Sequence, residues 1–166
     1  MNGQVSEAGK YETTTERASG RELVVTRTFD GPARHVFKAW TTPDLLKRWW
    51  APKSIGITLV SCEVDARTGG TYRFEFGVPG SDQPVAFFGR YIEVVPDKKI
   101  VWTNEEGEDG SVTTATFEEK DGRTLLVISD LYPTEAALDA AIASGSVAGY
   151  DEQFGQLDEL LPTLRP

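Results

Sequence analysis

The sequence predicts an α+β domain in which an antiparallel sheet of about seven strands packs against a C-terminal helix. Three observations support this prediction. Residues 56–132 alternate apolar and polar side chains with a period of two, their connections are short enough for hairpins, and residues 147–161 carry an apolar stripe at helical spacing. Parallel strands are disfavoured because each would need a crossover of about a dozen residues or more.

The first elements of the domain are one strand and two short helices. RELVVTRTFDG, residues 21–31, is rich in β-branched residues and ends in an Asp-Gly turn. Pro32 suits the first position of a helix. Thr42 and Pro43 then supply a cap and a first residue for a second helix, which Pro52 ends. We therefore expect a helix–helix corner directly after the first strand.

Six further strands are predicted in the alternating region, with turns rich in Gly, Pro and Asp between them. The helix that follows places its apolar residues three or four apart, although two glycines weaken it by about 1 kcal/mol each relative to alanine. Tertiary packing must therefore hold it. Because a twisted sheet curls, this helix is expected to cover the concave face, and the space left over is a candidate apolar pocket. The stripe consists of Val147, Tyr150, Phe154, Leu157 and Leu161.

The composition indicates an ordinary globular protein and argues against two classes of partner. The chain has 166 residues and a formal net charge of -9, which is unfavourable for binding nucleic acid or anionic membranes. No apolar run is long enough to be inserted in a bilayer. A single cysteine, Cys62, fits a reducing cytoplasm and a buried structural role. Residues 1–20 are polar and aperiodic, so we expect a flexible tail followed by one domain over residues 21–162.

Four segments in this order resemble the family of bacterial activator-of-heat-shock-protein-90-ATPase homologues. This family belongs to the START-related, helix-grip superfamily, which includes polyketide cyclases and birch-pollen-allergen-like proteins. The resemblance implies a curved sheet around a long C-terminal helix, with a hydrophobic cavity between them and no fixed catalytic set. Tyr150 stands where family members commonly have tryptophan. The segments are RTFDGPARHVFKAWTTPDLLKRWWAP, DARTGGTYRFEF, GRYIEVVPDKKIVWT and GYDEQFGQLDELL.

Two adjacent tryptophans, Trp49 and Trp50, end the second predicted helix. They cannot both point inward from one helical stripe, so either both fill the core from different directions or one faces a pocket. With the helix-grip fold, we predict that the pair spans the wall and the entrance of the cavity. The full set of predicted ligand-binding residues is Trp49, Trp50, Tyr72, Phe74, Phe76, Phe88, Arg90, Trp102, Tyr150 and Phe154.

The polar residue of this set is Arg90. Period-two alternation puts it on the same face as Phe88, Ile92 and Val94, so it points inward if these apolar residues do. A buried arginine needs a partner, because an unpaired charge is costly to bury. Arg90 then either binds the carboxylate of an amphipathic ligand or forms a salt bridge with an acidic residue of the protein.

The sequence predicts no catalytic residues, no metal and no cofactor. Glu63 and Asp65 share a solvated face of their predicted strand, whereas a paired-carboxylate site would need both in a pocket. His35 is the single histidine, and together with one cysteine it cannot form a zinc cluster. No phosphate-binding glycine loop opens a helix.

We predict that the domain binds a small hydrophobic or amphipathic molecule in the cavity. One alternative is an enzyme of the polyketide cyclase or hydrolase type, which would use Arg90 and a tyrosine in the same pocket. A second alternative is a stress-related interaction protein that regulates a chaperone ATPase or forms a homodimer through the acidic sheet face. A pocket lined only by apolar atoms would exclude the enzyme.

Overall fold

The computed structural model describes residues 12–51, 53–105, 110–143 and 149–164. Within these ranges the chain forms eight strands, four α-helices and two 3₁₀ turns, at Lys53–Ile55 and Leu161–Thr163. The strands are β1 (Thr14–Arg17), β2 (Glu22–Asp30), β3 (Thr58–Val64), β4 (Thr71–Gly77), β5 (Val85–Val95), β6 (Lys99–Thr103), β7 (Val112–Lys120) and β8 (Arg123–Leu131). The helices are α1 (Ala33–Thr41), α2 (Pro43–Trp49), α3 (Glu135–Ala143) and α4 (Gly149–Leu160).

All eight strands belong to one antiparallel sheet in the order β1-β2-β8-β7-β6-β5-β4-β3. The predicted α+β meander is therefore confirmed, with one strand more than expected. The added strand is β1, where residues 14–17 had been expected to belong to a flexible tail. That expectation is wrong for these four residues. All four are exposed in this edge strand, so the sequence shows no apolar alternation from which the strand could have been predicted. Residues 1–11 lie outside the described ranges.

The helices show that the sheet curls around its inner face. Helix α2 packs against β3 at one edge, helix α4 packs against β2 near the other edge, and the two helices contact each other. A flat sheet of eight strands could not meet both helices in this way, since neighbouring strands lie about 4.8 Å apart. The inner face therefore surrounds α2 and α4, as the helix-grip prediction requires.

The corner between α1 and α2 forms where the sequence predicts it. Pro32 precedes α1 as its N-cap rather than occupying the first helical position. Thr42 is the N-cap of α2 and Pro43 its first residue, although the threonine side chain makes no capping hydrogen bond. The threonine before α3 does cap its helix, because Thr134 Oγ1 accepts a 3.0 Å hydrogen bond from the backbone N–H of Ala137.

Helix α4 presents its apolar stripe to the core, as predicted. Phe154 and Leu157 are buried, as is Leu161 in the 3₁₀ turn that follows the helix. Tyr150 is partly buried, and Val147 lies outside the described residues. Side-chain amides fix the helix against the end of α2: Gln156 Nε2 donates to the carbonyls of Trp49 at 2.8 Å and Ala51 at 2.9 Å. Gln153 Nε2 likewise donates to the carbonyl of Trp50 at 2.6 Å. These bonds satisfy carbonyls that a helix C-terminus leaves without partners.

A buried ion pair joins α4 to strand β2. Arg27 Nη1 and Nη2 donate to the two carboxylate oxygens of Asp158 at 3.1 and 2.5 Å. Nη1 also donates to the carbonyl of Thr28 at 2.7 Å, and the guanidinium carbon lies 4.8 Å from the ring centre of Phe29. The side chains of Arg27 and Asp158 are only 4% and 13% exposed, so this pair lies in the interior rather than on the surface.

Candidate ligand-binding cavity

Two adjoining chambers lie between the inner face of the sheet and the helices. The apolar chamber has a volume of about 60 Å³ and the polar chamber about 370 Å³. Five residues border both chambers: Trp40, Trp50, Phe87, Trp102 and Asn104. Leu46, Tyr72, Phe74, Tyr91 and Ile100 complete the apolar chamber. Leu23, Gly110, Ser111, Thr113, Ile128, Asp130, Tyr132, Tyr150 and Gln153 complete the polar chamber.

Tryptophan rings build the wall between the chambers. The ring centre of Trp40, on α1, lies 5.2 Å from that of Trp50 and 5.9 Å from that of Trp102 on β6. Trp50 also contacts Phe74 edge-to-face at 5.5 Å. Such contacts hold large apolar surfaces in fixed positions. The indole N–H of Trp40 has no hydrogen-bond partner among the described residues.

The row of inward side chains across the sheet sets the length of the polar chamber. The register pairs Leu23 with Asp130, Asp130 with Thr113, Thr113 with Trp102, and Trp102 with Tyr91. These five positions, which we call the inner row, run from β2 to β5. Since adjacent strands are about 4.8 Å apart, Asp130 lies about 10 Å along the row from Trp102. The chamber thus contains a carboxylate and an indole about 10 Å apart.

Asp130 is buried, with 7% of its surface exposed, and it is held by hydroxyl groups. Its carboxylate accepts a short hydrogen bond from Thr113 Oγ1 and a 3.4 Å bond from the hydroxyl of Tyr150. Asn104 Nδ2 donates to Thr113 Oγ1 at 3.1 Å and to the carbonyl of Ser111 at 2.9 Å. Because Thr113 Oγ1 accepts from Asn104, its own proton is directed to Asp130. Of this network, the sequence predicted Tyr150 as a binding residue but not Asp130, Thr113 or Asn104.

Burial raises the pKa of Asp130 above its ordinary value, and the hydrogen bonds from Thr113 and Tyr150 offset only part of that effect. Burial also raises the pKa values of Tyr150 and Tyr132, and the nearby charge of Asp130 raises both further. Both tyrosines therefore keep their protons at neutral pH. The hydroxyl of Tyr150 is buried although the residue as a whole is partly exposed.

We expect Asp130→Asn to stabilise the protein at neutral pH. The folded protein binds a proton at Asp130 more readily than the unfolded chain does, so wild-type stability falls as pH rises from about 3.8 through the raised pKa. The amide removes this dependence while retaining hydrogen bonds to both hydroxyls. Thermal unfolding from pH 3.5 to 8 should show a higher midpoint for the variant at pH 7 and no advantage at the acid end. A constant difference across this range would contradict the assignment.

Two of the predicted binding residues, Phe88 and Arg90, lie on the outer face of strand β5 and not on the face toward the cavity. A β-bulge between Tyr91 and Glu93 inserts one residue relative to β6, so Tyr91 and Val94 both contact the core. The period of two, applied from Val94 backward, takes no account of this extra residue. It therefore predicts incorrectly that Phe88 and Arg90 face inward. The inward residues before the bulge are Phe87, Gly89 and Tyr91. Gly89 has no room for a side chain, because a Cβ there would lie 2.0 Å from the carbonyl oxygen of Thr103.

Arg90 and Phe88 lie on the outer face. Arg90 Nε pairs with Glu105 Oε2 at 2.7 Å, and the arginine side chain is 65% exposed. Hydrogen bonds from Thr103 and then from Arg90 lower the pKa of Glu105. The Arg73 guanidinium carbon lies 5.5 Å from the ring centre of Phe88. The alternative of a salt bridge to a protein acid is thus the arrangement found, and Arg90 cannot anchor a ligand in the cavity.

The other predicted binding residues all face inward, but only some line a chamber. Trp49 is fully buried, and its indole N–H donates to the carbonyl of Ala39 at 2.9 Å, so it belongs to the solid core. Phe76 and Phe154 are also buried without lining either chamber. The predicted residues that do line one are Trp50, Tyr72, Phe74, Trp102 and Tyr150.

Cys62 lines neither chamber. Burial raises the pKa of the Cys62 thiol to about 11, with a smaller increase from Asp44 and an opposing effect of Lys47. Its own acidic strand neighbours, Glu63 and Asp65, are exposed. Across the described ranges, no group of three or more His, Cys, Asp or Glu side chains could hold a metal ion.

A family model fits the chain from the last residue of β2 onward. The model for the Activator of Hsp90 ATPase homolog 1-like protein family matches residues 30–162. The chain belongs to this family. For this family member, the match begins at the end of β2 and extends past α4, so it includes every residue that lines the two chambers except Leu23. None of the curated proteins compared with the chain matches it.

Solved structures of proteins from several bacteria show the same fold. A protein from Rhodobacter sphaeroides has 24% identity and a TM-score of 0.85, covering 93% of this chain and 100% of its own. A protein from Chromobacterium violaceum has 29% identity and a TM-score of 0.73, with coverages of 85% and 97%. An AHSA1-like protein from Aeromonas hydrophila has 16% identity and a TM-score of 0.64, with coverages of 86% and 98%. Among the described residues of the present family member, no helix has the length and apolar character needed to cross a membrane.

Proposed function

We propose that this protein binds a small hydrophobic or amphipathic molecule in the cavity between the sheet and helix α4. The observation that carries the proposal is the polar chamber of about 370 Å³, which opens beside three tryptophan side chains. Small-molecule sites commonly have volumes of about 300–1,000 Å³ and apolar walls with a few polar groups. The adjoining apolar chamber of about 60 Å³ adds space beside Tyr72 and Phe74.

The walls are suited to binding because they are already in place. Trp40 is held by contacts with Trp49, Trp50 and Trp102 at 5.1, 5.2 and 5.9 Å. A ligand therefore gains apolar contact, at about 25 cal/mol per Å² buried, without ordering these side chains first. The polar network around Asp130 would orient the bound molecule.

Phe87→Ala should weaken binding of the neutral fluorescent hydrophobe N-phenyl-1-naphthylamine. Phe87 lines both chambers yet is 42% exposed, so its removal costs ligand contact with little loss of core packing. Losing a contact of about 50 Å² corresponds to about 1.2 kcal/mol, or about an eightfold increase in Kd. Titration of the probe, monitored by its fluorescence, measures the change.

The matched control for this experiment is Phe88→Ala. Phe88 is the next residue of the same strand and has the same side chain, but it lies on the outer face near Arg73. Its Kd should stay within about twofold of the wild-type value. Equal weakening in both variants, or no saturable binding to the wild type, would show that the cavity is not the binding site.

An acid–base enzyme is the second candidate, because ionisable groups converge in the polar chamber. Asp130 there accepts a hydrogen bond from Tyr150, and Tyr132 lines the same space. The pair named from the sequence, Arg90 with a tyrosine, is excluded by the outward position of Arg90. The described lining contains no His, Cys or Lys that would act with Asp130, which is why the geometry supports binding better. Hydrolysis of 4-phenylbutyl acetate that Asp130→Asn abolishes would favour the enzyme.

The remaining expectations concern partners and location. The family description names an activator of the Hsp90 ATPase. For this chain, a chaperone partner stays a prediction, and so do the homodimer and the cytoplasmic location. Unchanged chaperone ATPase activity after addition of the protein would count against the first of these.

A further inference from the structure

We propose that the cavity selects an amine, with a cationic head that pairs with Asp130 and an apolar body that packs among the tryptophans. This inference rests on the proposed ligand-binding function and names the class of ligand. It replaces the expectation that an arginine holds a carboxylate, since Arg90 lies outside the cavity. Three features of the described residues support it: the charge of the lining, the hydrogen-bonding capacity left at Asp130 and the length of the inner row.

The charge of the lining favours a cation. Of the described residues that line the two chambers, none is Lys, Arg or His, and Asp130 is the one carboxylate. Asp158, whose side chain is 13% exposed, is paired with Arg27. Buried charges are normally paired, because an isolated one loses its hydration without compensation. Asp130 has two hydroxyl donors and no cation, so an ammonium group would supply the missing counter-charge.

The carboxylate of Asp130 has capacity for a further donor. A carboxylate has about four lone-pair sites, and Thr113 and Tyr150 use two of them. Thr113 Oγ1 accepts from Asn104 and donates its own proton to Asp130, so the threonine has no second proton to offer a ligand. Tyr150 is held in place by stacking on Phe154, with ring centres 5.4 Å apart. The network is therefore arranged to accept hydrogen bonds at Asp130.

The inner row sets the distance between the head and body of the ligand. Asp130 and Trp102 are two strands apart, at about 10 Å. The hydrogen bond from the amine takes up about 3 Å of this distance. The apolar body of the ligand therefore begins a few methylene groups from the nitrogen. Its face would then lie against Trp102 and Trp50. An arylalkylamine has this shape.

Three matched probes test the proposal: 4-phenylbutylamine, 4-phenylbutanol and 4-phenylbutyrate. They share the phenyl group and a four-carbon chain, whose last carbon is the carboxyl carbon in 4-phenylbutyrate, and they differ in the charge of the head at pH 7. Their Kd values for the full chain can be measured by calorimetry and by tryptophan fluorescence. We expect the amine to bind at least about tenfold more tightly than the alcohol, and the carboxylate to bind most weakly, because Asp130 repels it.

The variant Asp130→Asn tests whether this preference arises from Asp130. It should bring the Kd of the amine to within about threefold of that of the alcohol. The matched control is Asp121→Asn, which makes the same change in net charge at the exposed turn between β7 and β8 and should keep the wild-type preference. Far-UV circular dichroism of each variant establishes that it is folded, and the wild-type comparison needs no variant.

Two outcomes would overturn the proposal, and they can be told apart. If the alcohol or the carboxylate binds the wild type as tightly as the amine, or if the preference survives in Asp130→Asn, amine selection is wrong while ligand binding stands. If none of the three probes and no N-phenyl-1-naphthylamine binds saturably, the proposed function fails together with this inference.

Discussion

Replacing Trp49 with alanine is expected to lower the free energy of unfolding by about 4 kcal/mol. The side chain is fully buried and packs against Trp40 and Trp50 at 5.1 and 5.2 Å. Its loss leaves a large void and removes the donor that binds the carbonyl of Ala39. Urea denaturation monitored by far-UV circular dichroism measures the change.

The neighbouring variant Trp50→Ala is the matched control. Trp50 is only partly buried and borders both chambers, so we expect at most about half the loss of stability. Its effect should appear instead as weaker binding of N-phenyl-1-naphthylamine. Equal losses of stability in the two variants would contradict the assignment of Trp49 to the core and Trp50 to the cavity.

The second large effect is expected from Asp158→Ala, which leaves Arg27 buried without its carboxylate. Breaking a buried pair by removing one partner costs about 3–5 kcal/mol, because the remaining charge is uncompensated. Here the guanidinium is 4% exposed, and the carbonyl of Thr28 is the other acceptor that holds it. Chemical denaturation at pH 7 gives the change in the free energy of unfolding.

The double variant Arg27→Met, Asp158→Leu distinguishes loss of the pair from loss of packing. Apolar residues of similar volume often replace a buried pair without a net cost. We therefore expect the double variant to recover most of the stability that Asp158→Ala loses. If the double variant is as unstable as the single one, the contribution of this site is not electrostatic.

Regular alternation explains which parts of the fold could be predicted from the sequence. In β4 no bulge interrupts the strand, and Tyr72, Phe74 and Phe76 all face the core as the period of two predicts. In β5 the bulge after Tyr91 reverses the phase, so the same rule fails for Phe88 and Arg90. A bulge depends on pairing with the neighbouring strand, which a single strand sequence does not reveal.

Asp130 was missed although its strand contains a signal for it. Leu126, Ile128 and Asp130 alternate on one face of β8, so a carboxylate continues an apolar series. Such a break in the pattern marks a site where burial is tolerated for another reason. The hydrogen bonds of Asp130 could not be predicted from β8 alone. They involve Thr113 and Asn104, which lie beside it because of the register of β6, β7 and β8.

Helix α4 contacts residues on two sides of the cavity, Asp130 and Trp50. Its first turn carries Tyr150, which reaches Asp130, and its next turn carries Gln153, which holds the carbonyl of Trp50. A molecule that contacts both Asp130 and Trp50 therefore favours the position in which α4 packs against the sheet and α2. Local unfolding of α4 would remove residues that line the cavity, so a bound ligand would oppose that unfolding. Ligand binding would therefore stabilise the C-terminal end of the domain.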